Sequence, residues 1–237
     1  MGVKLRVIGC SPAWPNPGSA HSGYVVEEQE RLLVDCGPGV LSRLRTDGLA
    51  GIDAIAITHF HLDHWGDLVP WAWLVLHGGS SSARPPLWIP SGGRDELGAF
   101  AERWGRPGMF TDAFDVSEYE PAATFQAAGF EIEPVPVVHY GLPAFGFRVR
   151  APSGRLLAYS GDSGPCDGLT RIAAGADLFL CEATLANDGP DGRPRGHLSA
   201  EEALSYADGR ILLTHRPAEL ATPDGVERAS DGAVVDV

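Results

Sequence analysis

The sequence predicts an α/β chain of two packed β-sheets flanked by helices. Three observations carry that prediction. Short apolar runs bounded by Gly, Pro, Ser and Asn come in groups at the start and in the middle of the chain, with amphipathic stretches between them. Thirty glycines and 19 prolines imply many tight turns, which suits sheets better than a helix bundle. Of the 237 residues 44% are apolar, enough to bury a sizeable core. We read one domain over 1–237. The most linker-like stretch, SSSARPP at 80–86, is short and reads as a surface loop.

Val3 to Ile8 alternates and stops at Gly9, which makes it a first strand. A Pro/Ser/Gly-rich loop follows at 11–22. Gly23 to Val26 and Arg31 to Val34 form a hairpin that turns at the polar run 27–30. After Asp35-Cys36-Gly37-Pro38-Gly39 comes a short helix, Val40 to Thr46. Ile52 to Ile57 is a buried strand that runs into a histidine cluster. Leu68 to Leu76 is a helix that is apolar on most sides, open to two readings: core, or contact in a homodimer. Leu87 to Ile89 is a strand and Arg94 to Trp104 a helix. Phe125 to Val138, Phe145 to Val149, Leu156 to Tyr159 and Asp177 to Cys181 are strands. Ser199 caps a helix running to Ala207, with Glu202 three residues on. Arg210 to Leu213 is the last strong strand, and Val234 to Val237 adds an edge.

Charge and composition exclude several function classes. Lys and Arg number 18 against 31 Asp and Glu, a net charge of −13, so no extended nucleic-acid surface is expected. Leu68 to Leu76 is too short to span a bilayer, so no membrane partner is expected either. The start MGVKLRVIG shows no signal-peptide pattern, and the four cysteines form no C-x-x-C pair. The expectation is a cytoplasmic protein with reduced thiols.

The informative stretch is Thr58-His59-Phe60-His61-Leu62-Asp63-His64, with four metal-competent side chains within six residues. On an extended backbone His59, His61 and Asp63 share one face, while Phe60 and Leu62 turn into the core. His64 then faces a second metal as the chain turns toward a helix. Imidazole and carboxylate suit zinc, and also manganese or iron. Three His and one Asp at fixed places arise by chance in fewer than about one in a thousand chains of this composition. His139, Asp162 and His215 each sit just past the C-terminal end of a predicted strand, where sites collect in layered α/β folds.

HFHLDH, His139, Gly161-Asp162 and Thr214-His215 together resemble the motif series of the metallo-β-lactamase superfamily, and the likeness covers nearly the whole chain. The resemblance implies a four-layer αβ/βα sandwich, two mixed β-sheets flanked by helices, with two divalent metal ions at the edge between the sheets. Zn2+ is the first expectation, with Mn2+ or Fe2+ as alternatives. It further implies that His59, His61 and His139 hold one ion, that Asp63, His64 and His215 hold the other, and that Asp162 bridges them. Asp35 matches the superfamily's first motif, an acidic residue behind the ligands.

Cys181-Glu182-Ala183-Thr184 and Gly196-His197-Leu198-Ser199 resemble motifs of ribonuclease Z and related phosphodiesterases, with Cys181 in place of a leading His. The likeness implies that Glu182 orients His197 and that His197 reaches the scissile phosphate. Asp63 would accept the nucleophile's proton. Ribonucleases Z that mature tRNA carry a Lys-rich arm before the fourth-motif Asp. Here only 23 positions separate His139 from Asp162, filled by one hairpin turning at PSG. DHWGDL, HYGLPAFGFRV and YSGDSG resemble bacterial proteins that include atypical cyclic-nucleotide phosphodiesterases. The expectation is therefore a dinuclear-metal-dependent hydrolase, a phosphodiesterase acting on a small phosphodiester such as a cyclic nucleotide. Two alternatives stay open: a tRNA 3′-processing endonuclease, and a lactonase or thioesterase on the same metals. Asp67 is either a brace for a ligand histidine or an acid at a helix start. Trp14, Trp65, Trp71, Trp73 and Tyr140 read mainly as core or rim, with one or two available to stack on a base.

Overall fold

Period-two alternation decides which strand faces meet. In the computed structural model, which describes residues 2–49, 51–78, 84–189 and 191–237, even and odd strand positions go to separate cores. The first half of the chain runs β1 (Lys4–Gly9), β2 (Gly23–Glu27), β3 (Arg31–Val34), α1 (Val40–Thr46), β4 (Ala54–Ala56), α2 (Leu62–Trp65), α3 (Leu68–His77), β5 (Pro86–Pro90), α4 (Gly93–Arg103), α5 (Met109–Ala113) and β6 (Asp115–Tyr119). The second half runs β7 (Phe125–Ala127), β8 (Phe130–Pro136), β9 (Phe145–Arg150), β10 (Leu156–Tyr159), α6 (Asp167–Ala173), β11 (Leu178–Glu182), α7 (Ala200–Tyr206), β12 (Ile211–Thr214), β13 (Glu227–Arg228) and β14 (Val234–Asp236).

The strands form two seven-stranded sheets, β14-β1-β2-β3-β4-β5-β6 and β13-β12-β11-β10-β9-β8-β7. Each is mixed. β1 to β3 pair antiparallel and β3 to β6 parallel; β7 to β10 pair antiparallel and β10 to β13 parallel. Leu5, Val7, Val26, Leu32 and Val34 face Phe130, Ile132, Phe147, Val149 and Leu180 between the sheets. The alternate residues Val25, Leu33, Ile55 and Leu87 bury against α1 and α3 to α5. Ala158, Phe179, Cys181 and Leu213 bury against α6 and α7. Each sheet thus covers both faces with apolar side chains, giving the four layers expected. No helix among the described residues is long and apolar enough to cross a membrane.

The capping box at α7 is present as read: the Ser199 hydroxyl accepts from the Glu202 amide, and Glu202 accepts from the Ser199 amide. Three expectations need correction. The run 125–138 is not one strand but the hairpin β7–β8, which turns at Ala128 (φ 49°) and Gly129 (φ 72°). Two consecutive left-handed residues match the strand twist of a tight hairpin. His59, His61 and Asp63 do not lie on one extended segment, because helix α2 begins at Leu62 and carries Asp63 and His64. Leu62 is consequently 58% exposed rather than turned into the core. Helices α5 and α6 and strands β6 and β13 add to the elements read from sequence. Of the loop read at 80–86, residues 80–83 lie outside the described residues.

Candidate metal centre

The chain leaves its parallel strands on one edge of the sandwich, and the site is assembled there from their ends. Asp35 follows β3, His59 follows β4, Asp162 follows β10, Glu182 ends β11 and His215 follows β12, while His139 follows β8. Asp35 (φ 58°) and His215 (φ 51°) are in the left-handed region, unusual for side chains larger than Gly. Such backbone costs of order 1–3 kcal/mol and persists where surrounding contacts over-determine it. Gly161 (φ 58°) precedes Asp162, and a Cβ there would fall 2.4 Å from the Phe145 carbonyl oxygen. Only glycine lets the chain deliver Asp162 at this point.

The seven predicted ligands come together. Nitrogen atoms of His59, His61 and His139 lie within 4.8 Å of one another, as do ligand atoms of Asp63, His64, Asp162 and His215. His61 Nδ1 is 2.8 Å from His139 Nε2. His64 Nε2 is 3.3 Å from Asp162 Oδ2 and 3.5 Å from Asp63 Oδ2. His215 Nε2 is 3.2 Å from Asp63 Oδ2 and 3.5 Å from Asp162 Oδ2. All seven are buried except the half-buried His61.

Hydrogen bonds behind the rings fix which nitrogen faces the centre. Asp35 accepts from the Thr58 amide (2.8 Å) and hydroxyl (3.0 Å), from His64 Nδ1 (2.8 Å) and from the Tyr159 hydroxyl (3.1 Å). Because the Thr58 hydroxyl donates to Asp35, it accepts from His59 Nδ1 at 3.1 Å. His139 Nδ1 donates to the Gly196 carbonyl at 2.7 Å. The rings therefore present Nε2 inward. His59 Nε2, His64 Nε2 and Asp162 Oδ1 are buried with no hydrogen-bond partner among the described residues. Such atoms ordinarily cost about 1–3 kcal/mol each. Three of them converging on one centre of imidazoles and carboxylates fit a divalent cation as the missing partner.

Charge is divided within the cluster. Burial, reinforced by the His64 charge, holds His59 well below the usual imidazole range, and burial also lowers His139. Burial would lower His64 too, but the charges of Asp162, Asp35 and Asp63 outweigh it and raise it above the usual imidazole range. Burial opposes ionisation of Asp162, yet His215 and His64 keep it well below the carboxylate range.

Glu182 is fully buried and collects donors from the opposite side. Its Oε1 accepts from His197 Nδ1 (3.0 Å), the Ser163 amide (3.1 Å) and the Leu198 amide (3.2 Å). Its Oε2 accepts from the Thr184 amide and hydroxyl, both at 2.9 Å. Burial pushes His197 down, but the Glu182 charge and hydrogen bond lift it to about 9. The His197 ring stacks on His215 at 5.6 Å between centroids and borders a cleft of about 510 Å³ together with His61, Asp63 and Asp162.

Other residues fall outside or beside the centre. Asp67 Oδ2 accepts from the Leu41 amide at 2.8 Å, so it closes the start of α1 and braces no ligand histidine. Trp65 and Trp71 are core; Trp14 and Tyr140 line the cleft. Sequence reading had no role for Thr58, Thr184 or Asp191. The two threonines lie within quoted motifs, and that placement was the available signal. Asp191 accepts from the Tyr140 hydroxyl (2.8 Å) and the Gly196 amide (3.1 Å), which steadies the carbonyl that holds His139.

Residues 30–215 match the family described as "Beta-lactamase superfamily domain". The uncharacterized protein Rv1339 of Mycobacterium tuberculosis is 34% identical over 245 residues, covering 99% of this chain and 89% of that one. The probable metallo-hydrolase YhfI of Bacillus subtilis is 31% identical over 222 residues, covering 91% of this chain and 87% of that one. The YhfI crystal structure superposes with a TM-score of 0.84 over 100% of both chains, at 24% identity in that comparison. The short form of human tRNase Z superposes with a TM-score of 0.77, at 26% identity over 98% of each chain.

Proposed function

Because the chain belongs to the beta-lactamase superfamily of metal-dependent hydrolases, we propose that its centre hydrolyses a small phosphodiester, a cyclic nucleotide being the first candidate. One observation carries this reading: the buried Glu182 aims His197 into the same cleft that the His/Asp cluster borders. A lactonase or thioesterase on these metals has no use for such a pair. The likeness to human tRNase Z points to the same bond type. Against a tRNA substrate, the chain from His139 to Asp162 is taken up by a short loop and the β9–β10 hairpin, which leaves no room for an arm.

His59, His61 and His139 would hold one ion and Asp63, His64 and His215 a second, with Asp162 between them; Zn2+ suits this donor set first, Mn2+ or Fe2+ next. The ions would supply Lewis acidity toward the phosphoryl oxygens and bring the pKa of a water toward neutrality. The chain's own residues do the rest. Asp63 borders the cleft and takes up the proton of the attacking water. His197, protonated on both nitrogens, keeps Nδ1 on Glu182 and turns Nε2 toward the cleft. It neutralises the departing oxygen and donates its proton to it. Glu182 accepts from five donors and fixes the ring.

The test is a substrate panel on metal-loaded protein: 3′,5′-cyclic nucleotides, bis(p-nitrophenyl) phosphate, a γ-lactone, a thioester and a precursor tRNA. Turnover of the small phosphodiesters above the other classes is expected. Preferential lactone, thioester or tRNA cleavage would replace this reading.

A further inference from the structure

The cleft lining is of two kinds. One part is the metal-centre side chains and His197; the other is a wall of Ala13, Trp14, Leu185, Pro217 and Leu220, with the exposed Glu219 beside Leu220. No Lys or Arg lines it among the described residues. Two arginines at the 216–220 segment are spent on backbone carbonyls. Arg216 donates to the carbonyls of Ala183 (2.7 Å) and Ala221 (3.2 Å). Arg228 donates to those of Arg216 (2.6 Å), Pro217 (3.1 Å) and Leu220 (3.1 Å), which holds the 216–220 loop from behind. Asn16 ties the Trp14 loop to the same segment. Its Nδ2 donates to the Arg216 carbonyl at 3.0 Å, and its Oδ1 accepts from the Ala218 amide at 2.8 Å. The wall is thus braced in place, with the Trp14 ring 51% exposed. The Glu219 carboxylate is exposed and has no hydrogen bond or ion pair among the described residues.

Resting on the phosphodiesterase reading, we propose that this wall is a subsite for a flat, uncharged substituent of the diester, and that Glu219 excludes substrates carrying a second phosphate. The metal centre neutralises one phosphoryl group. A second phosphate seated on the wall would meet no cation and would lie beside a carboxylate, with partial loss of its water. A planar apolar group loses nothing there and stacks on Trp14. Selectivity by charge is therefore built from an absence of basic side chains along the lining and one exposed acidic group.

The experiment compares thymidine 5′-(p-nitrophenyl phosphate) with the same ester bearing a 3′-phosphate, on metal-loaded enzyme. Both release p-nitrophenol, so the reacting group is constant. The wild type is expected to favour the singly charged ester by about tenfold or more in kcat/KM, most of it in KM. Glu219→Gln should narrow that ratio and Glu219→Lys should narrow it further or reverse it. Both substitutions are at an exposed position, so the fold is retained. Calorimetric binding of thymidine 5′-phosphate and thymidine 3′,5′-bisphosphate should rank the three proteins in the same order without turnover. Equal kcat/KM for the two esters in the wild type, or a ratio that neither substitution moves, overturns the subsite and leaves the phosphodiesterase reading standing. Failure of the wild type to cleave either ester overturns both.

Discussion

The Thr184 hydroxyl lies 2.9 Å from His215 Nδ1 while it donates to Glu182 Oε2, also at 2.9 Å. Thr58 does the same between Asp35 and His59 on the other sheet. Each buried carboxylate therefore steers two histidines, one directly and one through a threonine: His64 and His59 for Asp35, His197 and His215 for Glu182. The hydroxyl suits this task because it donates once and accepts at the same time. Thr184→Val should lower metal affinity about 10- to 100-fold, the range seen when outer hydrogen bonds to ligand histidines are lost. Thr184→Ser should restore most of it. Chelator titration measures this, and equal affinity in the Val and Ser proteins would remove the threonine from the site.

His197→Ala should keep its metal and lose about 10²- to 10⁴-fold in phosphodiester turnover, the usual range for a positioned acid or base. Metal analysis beside steady-state rates separates the two effects. A loss under about tenfold would take His197 out of the chemistry.

Asp35→Ala should destabilise the fold by about 3–5 kcal/mol, because it strands the buried donors of Thr58, His64 and Tyr159. Asp35→Asn keeps a residue that tolerates the left-handed backbone and should cost less. Urea unfolding of the metal-free proteins reads this directly. Similar stability for all three would mean that the four hydrogen bonds to Asp35 contribute nothing net.

Metal occupancy should fall as pH is lowered. The folded values of His59 and His139 lie below the ordinary imidazole value. Their neutral forms thus contribute stability that is present above about pH 6.5 and is lost as pH drops through the lowered folded values. Protons compete with the cation for the same nitrogens. Equilibrium dialysis at fixed free Zn2+ from pH 8 to pH 5 tests this, and constant occupancy across that range would contradict it.

Much of this was legible in the sequence because the signals are local. Strand alternation gave the hairpin β2–β3 and the runs Leu156–Tyr159 and Ile211–Thr214 nearly to the residue. The clustering of His59, His139, Asp162 and His215 was legible because each comes after a strand, and that of His61, Asp63 and His64 because they share one short motif. Three kinds of feature were not. The turn at Ala128-Gly129 hides inside an apolar run that reads as continuous. Helix α2 starts after His61, whose side chain makes no cap hydrogen bond, so extended backbone was carried too far and Leu62 was turned the wrong way. The cleft wall joins Trp14 and Asn16 to residues 216–220, some 200 positions away, through contacts that no local pattern encodes.

The most direct measurement is metal content per chain, by elemental analysis of zinc-reconstituted wild type and of His59→Ala at matched concentration. If the seven side chains hold two cations as proposed, about two equivalents are expected in the wild type, with a clear drop and parallel loss of turnover in the variant. A folded wild type that takes up no divalent ion, or a His59→Ala protein with undiminished content and rate, would show that these residues meet for another reason.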